Sequence, residues 1–215
     1  MLSNKTQTKI IDIYNKGINE HGYTQEALGW KKDRRKIRFS SLIENLDLDS
    51  SSILDFGCGL GDFNSFLIDN KINVLYKGVD INSNLIDNCK KTWEKENFSL
   101  IKDYTDIKTS YDFIFISGVF NDKWVENEEE QEKIIQGILT HLFQYTNHAL
   151  SLNFMTTDVD FRAKNAYYQD MYSIVKFISQ NLSKRMIVNT SHLRYEYTIR
   201  IFKNEDIDFN YAYKR

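Results

Sequence analysis

The segment Asp55-Phe56-Gly57-Cys58-Gly59-Leu60-Gly61-Asp62 is the first place to look for chemistry, because three of the chain's nine glycines fall within it. Glycines so spaced let backbone approach a ligand closely, and they leave the first amides of a following helix free to meet it. The pattern is not the dinucleotide fingerprint G-x-G-x-x-G, whose third glycine would stand where Asp62 is. It is D-x-G-x-G-x-G, between an apolar run and an amphipathic one. A second apolar run ends in Asp80, where a carboxylate can accept both hydroxyl protons of a ribose. Loop and acid together point to a ligand that carries a nucleoside.

Other residue types have competing readings. Among the four histidines, His21 ends a helix, His141 flanks one and His148 precedes a strand. His192 is expected in a turn beyond a late strand, where an imidazole of ordinary pKa near 6.5 can take a proton from a hydroxyl. Cys58 fits as a small filler in the glycine loop, and Cys89 as a buried helix residue, neither as a nucleophile. Asp122, Asp158 and Asp160 follow strands where a magnesium ion is conceivable, but their spacing is loose and no metal is expected. Glu126–Glu132 opens a helix whose dipole acids complement. Residues 31–38 hold six basic side chains and one acid, a candidate phosphate grip or simply a solvated helix face. Tyr14, Tyr23, Trp30, Phe120, Trp124, Phe161, Tyr167 and Tyr168 gather where an acceptor pocket would lie. Several must be core, and Trp30 with one of Tyr167 or Tyr168 is the favoured pair, Phe120 standing with them as a pocket candidate.

The elements that must hold these residues are legible from periodicity. Ile10, Ile13, Tyr14, Gly17 and Ile18 recur at helical spacing until His21-Gly22, and Phe39, Leu42, Ile43 and Leu46 mark a second helix after a loop over 24–32. From Ser52 onward short apolar runs alternate with amphipathic ones. Strands are expected at Ser52–Phe56, Tyr76–Ile81, Phe98–Lys102, Tyr111–Ser117 and Ala149–Met155, with helices between them, the longest near 127–145. A helix through Met171, Ile174, Val175, Ile178 and Leu182 precedes two final strands, Arg185–Thr190 and Tyr195–Phe202. Repeated β-α units ending in a hairpin predict an open α/β sheet, with ligands bound beyond the carboxyl ends of its strands.

Composition bounds the rest. With 215 residues, 41% hydrophobic and 27% charged, the chain is long enough for one globular domain with an appendage. A net charge of −2 offers no broad positive field for nucleic acid or an anionic membrane. No apolar run approaches a membrane span, the first residues read as neither signal nor transit peptide, and two cysteines make no disulfide framework. A cytoplasmic protein is the expectation. Proline is absent, which excludes motifs built on it, such as Asn/Asp-Pro-Pro-Tyr/Phe and Pro-Cys.

On these motifs the sequence resembles the class I S-adenosylmethionine-dependent methyltransferases, small stand-alone bacterial ones in particular. ILDFGCGLGDF (53–63) and YKGVDIN (76–82) match that family's first two motifs, and FSLIKDYTDI (98–107) and YDFIFISGVFN (111–121) match its third- and fourth-strand regions. The resemblance implies a Rossmann-like seven-stranded, mostly parallel sheet with a C-terminal antiparallel hairpin. It implies S-adenosylmethionine as cofactor. Asp55 and the backbone of Gly57, Cys58, Gly59 and Gly61 would hold the methionine part, Asp80 the ribose, Ile81 the adenine face and Asp103 the adenine amino group, with Ser117 and Gly118 flanking the donor. Residues 1–50 are expected as a helical extension or lid, and 51–215 as the donor-binding domain. The expected reaction is methyl transfer to a small molecule, such as a sugar or metabolite hydroxyl, with His192 as candidate base. The alternatives are an RNA methyltransferase using the 31–38 basic run and a non-catalytic donor-binding protein.

Overall fold

A computed structural model describes residues 1–29, 34–93 and 97–203. Seven strands form one sheet: β1 (Ser52–Phe56), β2 (Leu75–Asp80), β3 (Phe98–Leu100), β4 (Tyr111–Ile116), β5 (Thr146–Met155), β6 (Met186–Leu193) and β7 (Glu196–Phe202). Their order is β3-β2-β1-β4-β5-β7-β6. The β1–β2, β1–β4, β2–β3 and β4–β5 pairs are parallel, whereas β7 runs antiparallel to both β5 and β6. The strand order reverses between β1 and β4, which opens a crevice at their carboxyl ends.

Period-two alternation explains why the sheet is covered on both faces. Phe113 and Phe115 of β4 enter one layer, with Phe39, Phe63, Phe66 and Cys89, while Ile114 and Ile116 enter the other, with Ile135, Ile138, Leu142, Ile174 and Ile178. A strand buried on both faces has to be apolar throughout, as YDFIFI nearly is. The first layer is closed by α2 (Arg34–Ile43), α3 (Asp62–Asp69) and α4 (Ser83–Trp93), the second by α5 (Glu128–Gln144) and α6 (Met171–Asn181). Asn127 caps α5 by accepting from the amides of Glu129 and Glu130, and three glutamates fill that helix's first turn, where the dipole favours them.

The first fifty residues divide between two jobs. In α2, Ser41 Oγ donates to Thr198 Oγ1 of β7, and the Leu42 carbonyl accepts from Ser151 Oγ of β5, so this helix is part of the sheet's cover. Helix α1 (Asn4–His21), capped by Ser3, instead crosses the strand ends. The helix and the residues just before it are pinned to the loops after β2, β3 and β4: Asn15 Oδ1 accepts from Asn82 Nδ2 (3.0 Å), the Leu2 amide donates to Asp103 Oδ2 (2.7 Å), and Tyr14 Oη donates to Asp122 Oδ2 (2.8 Å).

Several sequence-based boundaries shift, among them that of α2, which ends at Ile43 and leaves Leu46 beyond it. β3 stops at Leu100 because the Asp103–Asp106 capping box turns the chain immediately afterwards. β5 begins at Thr146, before its apolar run, because Tyr111 already pairs with Thr146. His192 lies within β6 and not in a turn: the strand continues to Leu193 beyond a register shift, leaving only Arg194-Tyr195 to reverse the chain.

Candidate active site

The carboxyl ends of β1, β2 and β4 open into a cavity of about 350 Å³. Its floor is the glycine loop. Gly57 (φ 76°) and Cys58 both donate to the Val79 carbonyl, at 2.8 and 3.0 Å, tying the loop to β2. A Cβ on Gly57 would stand 2.3 Å from Val119 Cγ2, so glycine is what lets the loops after β1 and β4 touch. Gly61, also at positive φ, begins α3 but packs on Trp93 and Phe98 and does not line the cavity.

Two acids of this floor are fixed by hydrogen bonds. Asp80 Oδ2 accepts from the Gly59 amide (3.1 Å) and Oδ1 from the Asn82 amide (2.9 Å). Burial nevertheless pushes its carboxyl above the ordinary range, against those two bonds. Asp55 accepts from Tyr76 Oη at 2.6 Å, and burial pushes its pKa up to about 7. Cys58 lines the cavity, and Cys89 Sγ beneath it donates to the Gly59 carbonyl.

The far wall comes from the segment after β4. The Gly118 amide (φ 75°) donates to Asn153 Oδ1, Asn153 Nδ2 donates to Glu196 Oε2, and Arg38 Nε donates to the same carboxylate oxygen at 2.6 Å. A buried polar chain thus runs from this wall through β5 and β7 to α2. Ser117, Asn121, Asp122 and Trp124 also face the space. Ser117 Oγ, Asn121 Oδ1 and Trp124 Nε1 are buried without a hydrogen-bond partner. The roof is Leu2, Ile10 and Tyr14 of the N-terminal segment, with Leu28 and Gly29.

Of the sequence candidates, Asp55, Gly57, Cys58, Gly59, Asp80, Ile81, Ser117 and Gly118 meet at this cavity. Others do not. Asp103 is spent elsewhere, its Oδ1 accepting from Thr105 N and its Oδ2 from Leu2 N. Phe120 stacks on Phe154 in the core. Tyr167 is buried and donates to Gln169, and Tyr168 Oη accepts from the Ala163 amide. His192 sits on the edge strand β6, its Nε2 3.3 Å from Thr198 Oγ1, and burial holds its pKa below the ordinary value. Neither it nor the two tyrosines line the cavity. Trp30, Lys31 and Lys32 lie outside the described residues. Asp158 and Asp160 do not converge with Asp122; Asp160 engages Arg194 and Tyr195, and among the described residues no three His, Cys, Asp or Glu side chains could hold a metal. Sequence reasoning did not assign Arg38, Asn121 or Glu196 to the pocket. The available signal was the polar pair Asn121-Asp122 directly after the fourth apolar run.

Known proteins share this fold. The profile of the methyltransferase small domain matches residues 38–164. The chain belongs to that family and is a class I methyltransferase whose methyl donor is S-adenosylmethionine. Solved structures with this fold include the magnesium protoporphyrin IX methyltransferase of Synechocystis PCC 6803 with bound S-adenosylhomocysteine (15% identity, TM-score 0.66, covering 93% of this chain and 100% of that one). A plantazolicin methyltransferase in complex with an analogue and S-adenosylhomocysteine is also similar (12% identity, TM-score 0.62, 93% and 97% covered). So is an S-adenosylmethionine-dependent methyltransferase of Clostridium acetobutylicum ATCC 824 (11% identity, TM-score 0.58, 89% and 99% covered). Among curated proteins, none matches the sequence.

The residues present suit such a donor on physical grounds. The cavity wall carries the acidic side chains of Asp55, Asp62, Asp80, Asp122 and Glu196 against Arg34 and Arg38; Glu196 is paired with Arg38 and Asp62 with Arg35, which leaves Asp80 and Asp122, with a partly protonated Asp55, opposite Arg34. That balance favours a ligand bearing positive charge, as a sulfonium does.

Proposed function

We propose that this protein transfers a methyl group from S-adenosylmethionine to a small-molecule acceptor enclosed in the cavity beneath α1. The donor supplies an activated methyl on its sulfonium, so the chain needs no nucleophilic side chain. In this reading Asp55 and the Gly57–Gly59 backbone hold the methionine part, Asp80 accepts from the ribose hydroxyls, Ile81 lies along the adenine, and Ser117 and Gly118 flank the donor. Asp103, which anchors the N-terminal segment and does not line the cavity, receives no donor contact. The residues after β4, with Tyr14 above them, form the acceptor side. The cover over the strand ends limits the access of water, which helps to preserve the donor for the acceptor.

The observation that carries the small-molecule reading is that cover. Hydrogen bonds from Leu2, Tyr14 and Asn15 fasten the N-terminal segment across the loops, so the acceptor side is a roofed cleft and not a flat surface. The basic run supports the same choice. Arg38 is buried against Glu196 and Arg35 contacts Asp62, so these two cations are already engaged inside the protein and are not displayed for RNA phosphates.

The test has two parts. Calorimetric titration with S-adenosylmethionine should give saturable binding, and Asp80→Ala should weaken it by about 1.5–3 kcal/mol through loss of a charge-assisted contact. With methyl-labelled donor and fractionated cell extract, label should accumulate in the low-molecular-mass fraction. Label confined to RNA or protein would overturn the small-molecule reading.

A further inference from the structure

The acceptor side of the cavity holds a constellation that the donor does not explain. Asp122 follows β4 in a segment locked by the Asp122–Ala166 bridge and by Gln131 Nε2 donating to the Asp122 carbonyl, so its position is fixed by backbone. Its Oδ2 accepts from Tyr14 Oη, which holds the carboxylate in place under the roof helix. Beside it, Trp124 is 3% exposed, lines the cavity and has an indole N–H without a partner, while Asn121 Oδ1 is likewise buried and unpartnered. Such groups are rarely left unsatisfied in a finished interior, so they point to a ligand.

We propose that Tyr14, Asn121, Asp122 and Trp124 form the acceptor subsite, that the acceptor is an amine entering as its ammonium ion, and that Asp122 takes the proton the nitrogen must lose. This rests on the donor reading above and deepens it. The ammonium is recognised by the carboxylate and by the Asn121 oxygen, while the Trp124 indole N–H, a donor, is left for an acceptor atom elsewhere on the same ligand. One N–H proton passes to Asp122. The freed nitrogen lone pair then forms the N–C bond to the methyl carbon as the S–C bond breaks, and that bond's electrons stay on sulfur. The products are a methylated ammonium and a neutral thioether, with the Asp122 proton later released to solvent.

The charges around Asp122 agree with this role. Burial raises its carboxyl above the ordinary range despite the bond from Tyr14, which brings it closer to an amine as a proton acceptor. Tyr14 faces it from α1, and burial, then Asp122 and Asp80, keep that phenol protonated. Lys123, the adjacent cation, is turned to Glu126. An anionic acceptor would meet Asp122 and Asp80 on the wall, while Arg38 is held by Glu196 and Arg34 is the remaining cation that lines it.

The experiment uses the full chain saturated with S-adenosylhomocysteine and two isosteric probes, benzylamine and benzyl alcohol, titrated by calorimetry near neutral pH. Benzylamine should bind at least about tenfold tighter than the alcohol. Asp122→Asn should reduce that preference to within about twofold. Tyr14→Phe, which keeps the ring and the carboxylate, should retain most of it. Thermal unfolding of both variants checks that they are folded. Equal binding of the two probes, binding of neither, or a preference untouched by Asp122→Asn would overturn the proposal. Binding of S-adenosylhomocysteine, read in the same titrations before any probe is added, decides the donor reading separately.

Discussion

Gly57 and Asp55 show how much of the donor floor depends on single side chains. At Gly57 a positive φ coincides with a contact that leaves no room for Cβ. Gly57→Ala should therefore lower stability by about 1–3 kcal/mol, from backbone strain and overpacking, and abolish measurable donor binding by moving Val119. Urea denaturation and calorimetry read the two effects. Asp55 makes a different expectation, because its folded pKa of about 7 lies above the ordinary carboxylate value. Between about pH 4 and pH 7 the folded state then binds the Asp55 proton more tightly than the unfolded state does, so stability attributable to this group falls as pH rises. Asp55→Asn removes that titration while retaining an acceptor for Tyr76 Oη. Relative to wild type, the variant should gain up to about 1.4 kcal/mol per pH unit across that window and level off above it. A stability difference independent of pH would contradict the assignment.

At the scale of elements, α1 is the roof, and its hold on the strand ends is unevenly distributed. Asp103 is the clearest anchor, since one carboxylate caps the 3₁₀ turn at Tyr104–Asp106 and also accepts from the Leu2 amide, just ahead of α1. Asp103→Ala should loosen α1 without unfolding the sheet: hydrogen exchange should accelerate in residues 4–21 by about tenfold, with β1 and β4 unchanged. A merely ligand-contacting Asp103 would leave that exchange untouched. The elements themselves were largely legible in the sequence, because apolar runs of strand length and helical stripes are set by burial on two faces of one sheet. The glycine loop and Asp80 were legible because their chemistry needs fixed spacing. The acceptor wall was not. Phe120, Tyr167 and Tyr168 have the same composition whether they face a cavity or the core, and only packing sends them to the core. Glu196 and Arg38 meet across 158 residues of chain, a separation no local pattern encodes. His192 was misplaced by two residues of hairpin, since a register shift lets β6 run further than its apolar content suggests.

The whole molecule is closed by polar contacts between its beginning and its end as much as by its two apolar layers. Arg38 and Glu196 are both buried, and their pair ties α2 to β7 while Asn153 links it to the cavity wall. Arg200 of β7, itself buried, makes a further tie to the exposed Glu44. Two buried charges are expensive to desolvate, and their mutual attraction roughly offsets that penalty. Removing one partner is another matter, because the remaining charge stays in the interior uncompensated. Arg38→Met should therefore destabilise the protein by about 3–5 kcal/mol, seen as a lower urea midpoint with an unchanged slope. Adding Glu196→Gln to that variant removes the stranded charge and keeps an acceptor for Asn153 Nδ2. The double variant should recover at least half of the loss, although it carries one more substitution. A cost below about 1 kcal/mol for Arg38→Met, the size seen for exposed pairs, would mean that water reaches this contact and that the apolar layers alone join the chain's beginning to its end.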